Sequence, residues 1–228
     1  MRSLLPFLAP FALGAALALY LAVAFDDKKA GGIALMLGIW GAIAVLLMRE
    51  ETTDRALGPQ LATLVGGKPL EPRWAREILG PWSTSPRVLH ARWIVAREES
   101  WGSLFLLRLE VGKNTRETNL VLSVQGPELP TLTARRRGPP QRELVGELEQ
   151  WDVTPEPGAD ERLVSRIVEA AQALEVSAFQ VDGRKLWCPV RDPGAGYLGD
   201  HAAERVQALA TLVARAAELG RDLRRLQV

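Results

Sequence analysis

Hydrophobic and polar positions change period along the chain, and the first stretch has almost no polar period at all. Leu4–Phe25 carries no charged residue, and a second apolar run, Ile33–Met48, follows a short polar break. A hydrocarbon core of about 30 Å needs about 20 apolar residues at a helical rise of about 1.5 Å. The first run meets that length, and Ala30, Gly31 and Gly32 extend the second towards it. Asp26-Asp27-Lys28-Lys29 would be costly in hydrocarbon and reads as a tight polar turn. The pattern predicts a transmembrane hairpin over residues 1–50, with spans at about 4–25 and 30–48. Pro6 and Pro10 fall in the first turns, where a missing donor matters least.

Small residues recur every fourth position: Gly14, Ala18 and Ala22, then Ala34, Gly38 and Ala42. Such stripes let helix backbones approach closely in lipid, either within the hairpin or between copies. Trp40 lies deep in its run and reads as a packing residue.

Residues 51–86 read as a stalk and linker. Asp54–Val65 continues as an amphipathic helix with Leu57, Leu61, Leu64 and Val65 on one side, with Gly58-Pro59 as a break and Gly66-Gly67 as its end. Pro72–Leu79 reads as a short helix stopped by Gly80-Pro81.

From Arg87 the period becomes two. Arg87–Arg97, Ser103–Val111, Thr118–Gln125 and Leu129–Arg135 read as strands of an antiparallel meander with one wet face. Leu89, Ala91, Trp93 and Val95 share one side of the first strand. Phe105, Leu107, Leu109 and Val111 share one side of the second, while Arg108 and Glu110 point away. A further strand ends at Trp151-Asp152-Val153. Asp160 caps a helix to about Leu174, and Asp182-Gly183 marks a hairpin between Val176–Val181 and Arg184–Val190. After the loop Asp192–Gly199, Asp200 caps a final helix to about Leu226. The fold class is therefore α+β: the two-helix hairpin, then a mostly antiparallel sheet with two packed helices in a soluble domain at 87–228.

Charge changes the picture in two places. Setting aside Arg2, Lys28, Lys29, Arg49, Asp26 and Asp27 leaves 24 basic and 25 acidic residues, so the domain is near neutral and nucleic acid is not an expected partner. Arg2, Arg49 and Arg55 flank the hairpin's outer ends, against Lys28 and Lys29 in its loop. The positive-inside rule then places the large domain on the cytoplasmic face of a bacterial inner membrane. Ala22-Val23-Ala24 also fits a signal-peptide cleavage site, which would leave one span and the same domain location. Cys188, the single cysteine, excludes an intramolecular disulfide.

Candidate chemistry is sparse. His90 and His201 stand alone and lack metal-ligand spacing. Cys188 has no obvious base and reads as a small buried hydrophobe. Gly194-Ala195-Gly196-Tyr197-Leu198-Gly199 spells G-x-G-x-x-G, but it follows a hairpin strand rather than a βαβ unit. No catalytic, metal or cofactor-binding residue is assigned, and no cofactor is expected. Arg135, Arg136, Arg137 and Arg142 form the densest basic cluster, suited to lipid headgroups or an acidic partner. Beyond Trp40, six tryptophans scatter over linkers and strand ends, so most read as core filling and an exposed one as an interface anchor.

Trp151-Asp152-Val153, the helix Asp160–Leu174, Phe179-Gln180-Val181-Asp182-Gly183 and the long last helix, taken with the hairpin, resemble a group of bacterial membrane proteins with two N-terminal helices and a cytoplasmic α+β domain. The resemblance implies architecture and no activity. The expected function is a membrane-tethered, non-catalytic interaction or regulatory module, with a subunit of a membrane complex as one form of it. Its partners would be the bilayer, a membrane or cytoplasmic protein, or a second copy. The alternative is a membrane-anchored enzyme whose pocket draws on residues distant in sequence.

Overall fold

A computed structural model describes residues 5–24, 28–80, 82, 88–111, 115–136, 151–174, 176–190 and 202–226. The chain divides into two compact units, residues 1–56 with 195–202 and residues 57–194 with 203–228.

The first unit is a helix pair. Helix α1 spans Leu5–Ala24, and α2 starts at Lys28 and runs to Leu64, past the unit's end. A Cβ added to Gly14 would stand 2.6 Å from the Gly38 Cα, and one on Gly38 would stand 2.8 Å from the Gly14 Cα. Pro10 meets the Gly38 and Gly41 positions and Gly14 meets Ala34, so the helices run antiparallel. Pro10 lies inside α1. Lys28 and Lys29 belong to the first turn of α2, while Phe25, Asp26 and Asp27 lie outside the described residues.

The expected break at Gly58-Pro59 does not occur, since α2 continues through both residues. Leu57 and Leu61 are 1% and 0% exposed in the core of the second unit, and that burial outweighs the one backbone bond that Pro59 removes. Leu64 turns away from its expected companions and is exposed. Gly66, at φ +65°, ends the helix, with the Val65 and Gly67 amides donating to Leu61 and Ala62 carbonyls.

The second unit is an eight-stranded sheet in which every pairing is antiparallel. Its strands are β1 (Lys68–Leu70), β2 (Val88–Glu99), β3 (Gly102–Val111), β4 (Thr115–Val124), β5 (Leu129–Arg136), β6 (Trp151–Pro155), β7 (Ala178–Gly183) and β8 (Lys185–Val190). They lie in the order β1-β2-β3-β4-β8-β7-β5-β6. The meander therefore holds for β2, β3 and β4 only. Strand β8 takes the place beside β4 that sequence order gave to β5, which instead lies between β6 and β7.

Both faces of β2–β4 are covered, so the expected wet face is absent there. One face packs under α4 (Glu161–Gln172), α5 (Ala202–Leu226) and the end of α2. It buries Leu104, Leu106, Leu120, Leu122, Ile167 and Val213 among others. The opposite face buries Ile94, Leu107, Leu109 and Val121 under a short segment, a 3-10 turn at Pro72–Trp74 and helix α3 at Ala75–Leu79. Register irregularities between Val88 and His90 and between Ala91 and Trp93 split the first strand's expected face. Trp93 and Val95 join the first layer and Ala91 the second.

Local signals hold in the C-terminal third. The Asp160 side chain accepts from the Arg162 amide at 2.9 Å, and Val164, Ile167, Val168 and Ala171 are buried. Asp182 pairs with Lys185, so the turn is Gly183-Arg184, one residue later than the Asp-Gly signal, with Gly183 at φ +58°.

Candidate interaction surface

The helix pair brings three of the six stripe residues together. Gly14 and Gly38 touch backbone to backbone and Ala34 is buried against them, which places this packing within the pair. Ala18 and Ala42 are half-buried, and the Ala22 side chain lies outside the described residues.

The outward faces of the pair are apolar. Leu13, Leu19, Val23, Leu37, Trp40 and Met48 are each more than half exposed, with Val23 highest at 76%. Trp40 therefore faces outward, and is not the packing residue its depth in the run suggested. Among the described residues outside 11–48, the exposed large hydrophobics are Leu64 and Trp74. A typical monomer rarely exposes a contiguous apolar patch of more than a few hundred Å². Even so, among the described residues no helix is long and apolar enough to cross a membrane. The described residues form a tightly packed antiparallel pair with apolar outer faces, and the two full spans expected over 4–25 and 30–48 find no support among them.

Arg135 and Arg136 are exposed at the end of β5, and Arg137 and Arg142 lie outside the described residues. Register sets Arg135 opposite Asp152 on β6 and Ala178 on β7. His90 is exposed on β2, while His201 and the Gly194–Gly199 loop lie outside the described residues. Cys188 is fully buried in the first layer, and burial pushes its thiol well above the usual range, so it holds no thiolate for attack at neutral pH. Among the described residues no three His, Cys, Asp or Glu side chains group as metal ligands.

The tryptophans sort by environment. Trp93 packs on Gly58 and Trp101 on Gly220, positions where a Cβ would collide with the ring. Trp151 meets Phe179 edge-on at 5.4 Å, and Trp82 stacks on Trp187 at 6.1 Å. Trp74 is 42% exposed, with the Arg73 guanidinium 5.8 Å from its ring and Glu71 at 2.7 Å from Arg73.

Two functional-looking polar residues escaped the sequence. Arg108, read as pointing to solvent, is 3% exposed in the helix-covered layer and donates to Thr118 Oγ1 at 2.9 Å. Strand alternation does assign Arg108 to that face, but only the helices overhead reveal that the face is dry. Lys185 Nζ donates to the Glu77 and Ile78 carbonyls at 3.0 Å each, fastening α3 from a strand over 100 residues away. No local signal announces that contact.

The fold and surface define an α+β protein with an eight-stranded antiparallel sheet and a separate apolar helix pair. No protein family matches the chain, and no curated protein matches it. A structural likeness exists to the crystal structure of the mycobacterial trehalose monomycolate transport factor A, TtfA. It has 16% identity over 71% of this chain and 96% of that one, at a TM-score of 0.39. A likeness that distant carries no argument about this chain's activity.

Proposed function

We propose that the helix pair seats in lipid hydrocarbon and holds the sheet unit at a bacterial inner membrane, cytoplasmic side, as a non-catalytic interaction or regulatory module. One observation carries the reading: among the described residues the exposed large hydrophobics concentrate between Phe11 and Met48, whereas the sheet unit buries nearly all of its own. Water penalises such a surface by roughly 25 cal/mol per Å², and hydrocarbon does not. The inward-facing ends follow from Arg2, Arg49 and Arg55 outweighing Lys28 and Lys29, each of which sits near an Asp. Tethering would raise the sheet unit's effective concentration for membrane-bound partners without added intrinsic affinity. Trp74, with its stacked Arg73, is the aromatic anchor that such a partner would meet on the sheet unit.

Fractionation of the full chain tests the reading. The protein should remain in the membrane pellet through alkaline carbonate and leave it only with detergent. A double substitution, Leu13→Asp with Leu37→Asp, should release a substantial fraction. A C-terminal reporter that works only in the cytoplasm should be active. Recovery of the wild-type chain in the supernatant without detergent, or periplasmic reporter activity, would overturn it.

A further inference from the structure

The second layer, between the sheet and the Pro72–Trp82 segment, contains a polar residue that its surroundings do not serve. Asn119 is 1% exposed, and among the described residues no donor or acceptor reaches its Oδ1 or its Nδ2. Its strand neighbours in register are Leu107 on β3 and Pro189 on β8. Two residues along the same face, Val121 lies opposite Trp187, whose buried Nε1 likewise has no partner there. The β4 register is unbroken from Thr115 to Val124, so Asn119 and Val121 share one face and Asn119 and Trp187 are diagonal cross-strand neighbours. Such neighbours stand about 7–8 Å apart at Cα, within reach of one bridging molecule for side chains of this length.

We infer that Asn119 and Trp187 hold an ordered water inside the second layer, beneath the Trp82–Trp187 stack. The water accepts the Trp187 indole N–H and donates to Asn119 Oδ1. With the amide turned over, it instead accepts from Nδ2 as well. Either way it gains two protein partners, the lower end of what a buried water requires. A buried amide left with neither bond is rare in native proteins, whereas waters serving such groups are a regular part of their interiors. Trp101 provides the contrast. Its Nε1 is also buried without a partner, but its ring lies in the first layer against Gly220, and Asn119 lies on the sheet's other face.

The test uses the full chain in detergent micelles with 15N-labelled tryptophan and rotating-frame cross-peaks between each indole proton and water. The Trp187 indole should show a direct water cross-peak and the Trp101 indole none, and Asn119→Leu should abolish the Trp187 peak. A missing peak at Trp187, a peak of equal strength at Trp101, or a peak unchanged in Asn119→Leu overturns the inference. Should that variant fail to fold, a wild-type crystal structure that resolves ordered waters decides. A water bonded to both Asn119 and Trp187 supports the site, and a dry amide overturns it.

Discussion

At the scale of single residues, close packing sets the sharpest expectations. A Cβ on Gly220 would come within 2.4–2.5 Å of the six-membered ring of Trp101, a side chain 1% exposed and so unable to retreat. Alanine there gains about 1 kcal/mol in helix propensity but overpacks the core by about 1–3 kcal/mol. Gly220→Ala should therefore lower unfolding stability on balance, read by urea denaturation. Gly32→Ala meets nothing within 4 Å and should be neutral or slightly stabilising. Arg108 makes a second case. Thr118→Val keeps the shape of the side chain but removes the acceptor of a charged, buried donor, a loss of roughly 1–3 kcal/mol. Thr118→Ser should retain most of the stability, because the hydroxyl survives. A larger loss in Thr118→Ser than in Thr118→Val would mean that the methyl group, not the hydrogen bond, matters at this position.

Among the elements, α3 is the one whose existence depends on a distant partner. Five residues cannot sustain a helix alone. Lys185 supplies a cation to two carbonyls near its C-terminal end, where the helix dipole favours positive charge. Lys185→Met should leave the sheet intact yet raise amide hydrogen exchange across Ala75–Gly80, with little change at Leu104 or Leu120. Uniform loss of protection would show that α3 and the sheet unfold together. The same scale shows what sequence can and cannot carry. Helix α4 was legible because its cap, its period and its apolar face all lie within fifteen residues, and the β7–β8 hairpin was legible within one residue of its turn. The continuity of α2 was not, because Pro59 is a local signal and the burial of Leu57 and Leu61 is not. Strand order failed for a similar reason. Alternation in β5 marks it as a strand but says nothing of whether its neighbour is β4 or β7. The candidate surface was legible in part: the Gly14–Gly38 approach follows the small-residue spacing, whereas exposure of Trp74 and burial of Arg108 depend on residues far away in the chain. The sheet's edges are short, β1 with Pro69 and β6 with Pro155, so open pairing with other chains is discouraged.

For the molecule as a whole, α2 belongs to both units, and that constrains where the chain can be cut. Residues up to 56 cluster with the helix pair, but Leu57, Leu61, Ala62 and Val65 are core residues of the sheet unit. Fully burying a leucine contributes about 1.5–3 kcal/mol, so Leu57 and Leu61 with their two smaller neighbours supply on the order of 5 kcal/mol. Whole domains are stable by about 5–15 kcal/mol, which makes that share decisive. A chain beginning at residue 50 should therefore dissolve without detergent and melt cooperatively, having shed the apolar outer faces of the pair and kept the core end of α2. A chain beginning at residue 66 loses only sixteen more residues, yet exposes the patch that Trp93 and its neighbours form and should aggregate or remain unfolded. Circular dichroism melts and size-exclusion chromatography of the two chains read the difference. If the shorter chain folds as well as the longer, the end of α2 is a stalk leaning on the sheet, and its burial contributes little to the fold.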